Sequence, residues 1–285
     1  MNQEISFSFQ VILIKLIKSL KEILVKMRDI LPGTVLHKLN FKGEKQEFLT
    51  TFCLSRFHTD RHFIEAREFL NNEEKNYYYS LRHERRIQSY LLGRYVAKVA
   101  GSFLANDSNL SNVMIERGVF TQPVVNHPQI RMNISISHCN QIGVAVACSE
   151  GFVMGLDIEL ITSSINSVLK SHLTNGEKNL LQKWSYRLDA LPTLLWTCKE
   201  SLSKALRTGL TSPFQIFEVD SLKVCGSSMI LAEYKNFPQY RTISVLVDPY
   251  VLSFTYPKIT EPPFEQIEEM MLDMKTTIQN KEPMT

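Results

Sequence analysis

Within the 285 residues one order of elements occurs twice, and this recurrence limits the folds open to the chain more than any single motif. Glu47 to Phe57 reads as a strand, and His62 to Leu70 and Glu73 to Asp107 have helical character, the latter as two pieces meeting near Arg82. Val113 to Phe120, Arg131 to Ser137 and Ile142 to Cys148 follow as strands. The last of them places Ile142, Val144 and Val146 on one face and small residues on the other. From residue 152 the order returns. An apolar strand, Phe152 to Leu160, precedes a helix opened by Thr174-Asn175-Gly176-Glu177, which has capping-box spacing. A second helix runs from a first-turn proline, Pro192, to Gly209. Strands near Phe214 to Val219, Met229 to Tyr234, Arg241 to Val247 and Tyr250 to Tyr256 complete the half. The expectation is an α+β fold of two similar α/β subdomains related by pseudo-twofold symmetry, with a functional cleft between them. The subdomains are placed at 41–150 and 151–256, with an N-terminal extension at 1–40 and a tail at 257–285 whose Phe264 to Met274 stretch is an acidic amphipathic helix.

The extension carries an apolar stripe of Leu13, Leu16, Ile17, Leu20, Leu24, Met27 and Leu31, with the lysines mostly opposite, and Pro32-Gly33 ends it. Charges at Lys15, Lys18, Lys21, Lys26 and Arg28 interrupt the Ile5 to Leu31 run, so it is not a transmembrane helix, which needs about 20 mostly uncharged residues. No small-residue cleavage site follows, which argues against a signal peptide. Packing on the protein is the favoured role; a partner helix or an anionic membrane surface are the others. Five scattered cysteines without metal spacing fit a reducing cytoplasm. A net charge of +3 is too weak to argue for nucleic acid.

Two acidic motifs carry the chemistry. Asp157 and Glu159 are two apart on a predicted strand and point to one side of it. Trp196, Glu200 and Lys204 are four apart on a predicted helix and share a face. Taken alone, a Glu and Lys at that spacing are more often a solvated salt bridge, worth roughly 0.2 to 0.5 kcal/mol. Together the carboxylates supply the oxygen ligands that a hard divalent cation working on a phosphate requires.

The blocks, in order, resemble the 4′-phosphopantetheinyl transferase superfamily in its long, single-chain, pseudo-dimeric form. They are the Arg-rich helix ending Leu91-Leu92-Gly93-Arg94, then Ile134-Ser135-Ile136-Ser137-His138-Cys139, then Gly155-Leu156-Asp157-Ile158-Glu159, and Trp196-Thr197-Cys198-Lys199-Glu200-Ser201 with Lys204. The resemblance implies transfer of the phosphopantetheine arm of coenzyme A to a serine of an apo carrier protein, acyl or peptidyl, with release of adenosine 3′,5′-bisphosphate. By the same resemblance Asp157, Glu159 and Glu200 hold Mg2+, Glu200 takes the serine proton, and Lys204 stabilises charge on the bridging and leaving oxygens. Ser137 and His138 contact coenzyme A phosphate, with Arg85, Arg86, Arg94 and Lys199 as further contacts. Lys199 faces about 100° from Glu200, which separates it from the catalytic face. Trp196 serves as a buried aromatic that positions the helix.

One departure stands out, because Thr121-Gln122-Pro123 replaces the family's usual Gly-Lys-Pro turn and removes a cation near the nucleotide. Lys75 is the only close match to the lysines that family members carry ahead of the Arg-rich helix. A non-catalytic module that grips coenzyme A or a carrier protein is the alternative of a different class. A metal-dependent nuclease is the other enzyme reading, disfavoured because its Glu and Lys are usually two apart on a strand. A monomer is expected.

Overall fold

The computed structural model describes residues 30–162, 169–170, 172–226 and 228–279. The apolar stripe predicted from Leu13 to Leu31 falls, but for its last residue, outside that set. Contacts divide the chain into two compact units, Met1–Pro32 and Gly33–Thr285, and every element named here belongs to the second. In chain order these are β1 (Thr34–Lys42), β2 (Glu47–Arg56), α1 (Asp60–Glu68), α2 (Asn72–Ser80), α3 (Glu84–Ala105), β3 (Met114–Arg117), β4 (Pro123–Asn126), β5 (Met132–Cys139) and β6 (Ile142–Ser149). There follow β7 (Gly155–Leu160), α4 (Asn175–Lys183), α5 (Leu191–Ala205), β8 (Val219–Cys225), β9 (Met229–Tyr234), β10 (Tyr240–Val247), β11 (Tyr250–Pro257) and α6 (Phe264–Gln279).

Two antiparallel sheets have the orders β1-β2-β6-β5 and β7-β11-β10-β9-β8, and β3 pairs with β4 as a separate hairpin. Period-two alternation sorts each strand. On β2, Phe52 and Leu54 enter the core, while Thr51 on the other face donates to the Ala100 carbonyl of α3 at 2.6 Å. On β11, Leu252, Phe254 and Tyr256 enter the same core, and Ser253 and Thr255 lie under α5. The apolar residues of both sheets form one cluster, with Phe52 and Phe254 centroids 5.7 Å apart and Phe41 and Tyr256 5.0 Å apart. In each half the strand preceding the helices is bonded to the last strand of that half, β2 to β6 and β7 to β11. That last strand is then bonded to the one before it, β6 to β5 and β11 to β10.

The predicted capping box forms on α4. Thr174 Oγ1 accepts from Glu177 N at 3.2 Å and Glu177 Oε2 accepts from Thr174 N at 2.9 Å. The division of the 73–107 stretch near Arg82 is also observed, as α2 and α3. Three expectations need correction. The strand expected over Phe214 to Val219 begins only at Val219, because Phe214–Phe217 forms a 3₁₀ turn. Such a turn sets residues three apart on one side, and Phe214 packs on Trp196 at 4.6 Å while Phe217 packs on Phe237 at 5.8 Å. The helix expected to reach Gly209 ends at Ala205, with Arg207 in the left-handed region at φ 58°. Two strands, β1 and β4, were not expected. Among the described residues no helix is long and apolar enough to cross a membrane.

Candidate active site

The site depends on how closely α5 approaches β7. Leu156 and Ile158 face the core, so Gly155, Asp157 and Glu159 face the helix. A Cβ on Gly155 would stand 1.8 Å from the Ser201 carbonyl oxygen and 2.6 Å from Ala205 N, so only glycine permits this backbone contact. Beside it, short hydroxyl side chains carpet the sheet. Ser253 meets Thr197 at 2.7 Å, and Thr255 meets Ser201 at 2.8 Å. Each buried hydroxyl has a partner, which offsets its desolvation, and small volume keeps the helix low on the sheet.

This contact brings Lys204 Nζ within 2.7 Å of Asp157 Oδ1. Ser137 at the end of β5 donates to the same oxygen at 2.7 Å. The Asp157 carboxylate is buried, and its second oxygen, Oδ2, has no hydrogen-bond partner. Glu159 and Glu200 stand half-buried nearby, and each carboxyl is pushed up to about 7. Burial is the larger cause for both, repulsion by Asp157 adds to it, and the Lys204 ammonium opposes it. His138, next to Ser137 on β5, lines the adjoining cleft. Its pKa is lowered from the ordinary value, first by desolvation and then by Lys204, with Asp157 pulling the other way.

Among the described residues no three His, Cys, Asp or Glu side chains form a ready metal cage, and Lys204 holds one Asp157 oxygen. The donor set nevertheless fits a hard dication. It offers three carboxylates, one of whose buried oxygens lacks a partner, and two of which resist ionisation beside the third. A divalent ion with oxygen preference would satisfy the orphaned oxygen and reverse that resistance.

Two clefts meet along the Thr121–Pro123 segment and Ile136. One, of about 290 Å³, is lined by Tyr77, Arg86, Arg94, Arg117 and His138 among others. The Tyr77 hydroxyl is approached by Arg117 Nη2 at 2.5 Å and Arg86 Nη2 at 3.5 Å, and the Arg117 guanidinium lies 4.4 Å from the Tyr77 ring. These arginines hold the phenol's pKa below its usual value. The second cleft, about 220 Å³, runs past Phe120, Val153, Met154, Lys204 and Arg207.

The sequence-derived residues thus divide. Asp157, Ser137 and Lys204 touch, and Glu159, Glu200 and His138 sense the same charges. Arg86 and Arg94 line the cleft, but the Arg94 guanidinium stacks on Tyr90 and stands 3.6 Å from Glu74. Arg85 is exposed on α3 and does not line the cleft. Lys199 goes elsewhere: fully buried, it pairs with Glu177 at 2.7 Å and is spent inside the protein. Ser137 is likewise engaged by Asp157. Trp196 is partly buried against Phe214, in line with a packing role. Gln122 folds onto its own turn, its Oε1 accepting from Phe120 N at 2.9 Å. Sequence reasoning missed Tyr77 and Arg117. Arg117 lies opposite Pro123 in the hairpin register, a pairing with no signal in local spacing.

A carboxylate cluster with a lysine, beside a cleft bearing arginines and a histidine, has the chemistry to hold a polyanionic, phosphate-containing group. Residues 153–255, which carry β7, α5 and all the carboxylates, match the family model of the 4′-phosphopantetheinyl transferase superfamily. The match supports phosphopantetheinyl transfer as the general chemistry. No curated protein matches the chain.

Proposed function

We propose that this chain transfers the 4′-phosphopantetheine arm of coenzyme A to a serine of an apo acyl or peptidyl carrier protein, releasing adenosine 3′,5′-bisphosphate. The observation that carries the reading is the Lys204–Asp157–Ser137 contact flanked by Glu159 and Glu200, all of them but Ser137 inside the segment that matches the family. Asp157, Glu159 and Glu200 would hold Mg2+, which supplies charge neutralisation for the diphosphate when bound. Glu200 accepts the proton of the attacking serine hydroxyl, directly or through a water. Without the metal this carboxyl is pushed up to about 7; bound Mg2+ would lower it, so that Glu200 would be ionised and able to take a proton near neutral pH. Lys204 stabilises negative charge on the bridging and leaving oxygens, and a fixed donor there is worth about 3 to 4 kcal/mol of barrier.

His138, lowered in pKa and open to the cleft, donates a hydrogen bond to phosphate in its neutral form. Arg86 and Arg117 hold the nucleotide phosphates, and Arg117 supplies the cation that Gln122 does not. The reading includes pseudo-twofold halves at 41–150 and 151–256 with the site in the cleft between them, supported by the matching strand connections. It also includes action as a monomer in the cytoplasm. Glu200 and Lys204 lie on one helix, which leaves the strand-borne Glu and Lys of the nuclease reading without support. The non-catalytic module draws on one observation, the inward fold of Gln122. Incubation with coenzyme A, Mg2+ and an apo carrier, followed by the carrier's mass, separates these readings. Glu200→Gln should abolish transfer with the fold intact; persistent activity removes Glu200 from the role of base.

A further inference from the structure

Lys199 sits beside the proposed base in sequence yet faces the interior, and what it does there is repeated in the other half of the molecule. The Glu177 side chain joins three elements. Its Oε2 accepts from Thr174 N at the start of α4 at 2.9 Å and from Lys199 Nζ of α5 at 2.7 Å, and its Oε1 accepts from Val219 N of β8 at 3.0 Å. In the first half Glu74 makes these three connections with the same atoms, and its Oε1 also stands 3.6 Å from Arg94 Nε. Its Oε2 accepts from Asn71 N at the start of α2 at 3.0 Å and meets Lys98 Nζ of α3 at 2.8 Å, and its Oε1 accepts from Ile115 N of β3 at 3.3 Å. Both glutamates are third in a capping box, and all four charged side chains are buried.

Net stability does not explain keeping such a pair, since a buried ion pair replaced by apolar side chains is often neutral or stabilising. What the pair fixes is geometry. A rigid carboxylate with both oxygens engaged sets the rotation and height of a long helix against a helix start and a strand start. Counting from the paired lysine, the position held by Glu200 on α5 is held by Val99 on α3, and that of Lys204 by Phe103. The device therefore exists without the carboxylate site in the first half, and only α5 carries the chemistry.

We propose that the Glu177–Lys199 bridge is a positioning device for transfer, locking α5 so that Glu200 and Lys204 face Asp157, and that Glu74–Lys98 is its non-catalytic counterpart. This rests on the roles given above to Glu200 and Lys204. Lys199 acts through its neighbours and touches no substrate.

The test compares two matched double variants, Lys199→Met with Glu177→Gln and Lys98→Met with Glu74→Gln. Glutamine keeps a capping acceptor while the uncompensated buried charge is removed. Both should lower Tm. The first should lower kcat about 100-fold, as expected for a misplacement near 1 Å, with KM for coenzyme A within about threefold, the pattern of a lost transition-state interaction. The second should leave kcat within about threefold of the parent, because its lysine lies away from the carboxylates. Unchanged kcat in the first, or equal losses in both, would overturn the proposal. Should the first double fail to fold, Lys199→Arg, which keeps the buried charge and alters the reach of the bridge, is held to the same outcomes. A crystal structure of the Lys199 variant decides the matter without reference to activity. A broken Lys204–Asp157 contact supports positioning, and a retained 2.7 Å contact contradicts it. Absence of transfer by the parent protein would overturn the proposed function, while the crystal structure would still rule on the bridge.

Discussion

Asp157 gathers two donors on one oxygen and leaves the other without any, and its charge adds to the burial that raises the carboxyls of Glu159 and Glu200. Glu159 and Glu200 are raised from 4.5 to about 7 in the folded protein. A raised carboxyl binds its proton more tightly folded than unfolded, so its contribution to stability is present below pH 4.5 and lost as pH rises through about 7. The metal-free protein should therefore show a falling Tm between pH 5 and 8, with Mg2+ restoring more at pH 8 than at pH 5. A Tm in that range that does not respond to Mg2+ would contradict the ligand assignment. Arg117→Ala should raise KM for coenzyme A about tenfold or more, since a charge-assisted hydrogen bond is worth about 1.5 to 3 kcal/mol. Gln122→Ala should change it far less, because the Gln122 side chain serves its own turn. Steady-state kinetics on both variants checks the contrast.

At the scale of elements, Gly155 decides whether β7 and α5 can meet. Gly155→Ala places a methyl into the helix backbone, where neither side can yield as a flexible side chain would. Overpacking of this kind costs about 1 to 3 kcal/mol or more. Transfer should fall further than the Tm shift alone explains, as Lys204 withdraws from Asp157; the ratio of kcat to folded fraction measures it.

The same elements show what the sequence could disclose. The acidic strand and the α5 face were legible because period two and period four each brought hard ligands together locally, and both elements formed. β1 was not legible, because its inward series Val35, His37, Leu39 and Phe41 contains a histidine, which pairs with Asp273 on α6 at 2.9 Å, a partner 236 residues away. Lys199 was misread as a ligand contact because its partner, Glu177, is 22 residues away and looked like nothing more than a cap. Arg117 was missed because cross-strand register, not sequence spacing, brings it to the cleft.

For the molecule as a whole, two sheets share one core while each supports a long helix on its outer face, and the second half carries Asp157, Glu159 and Glu200 where that helix meets its neighbouring strand. The first half contributes Ser137, His138 and the arginine-lined cleft instead. One site assembled from unlike halves is the central claim, and the most direct measurement is the mass of an apo carrier protein after incubation with coenzyme A and Mg2+. The expected result is a gain of one phosphopantetheine on the carrier serine, lost with Glu200→Gln and with chelation of the metal. An unchanged carrier mass across acyl and peptidyl carriers, despite measurable coenzyme A binding, would contradict the account.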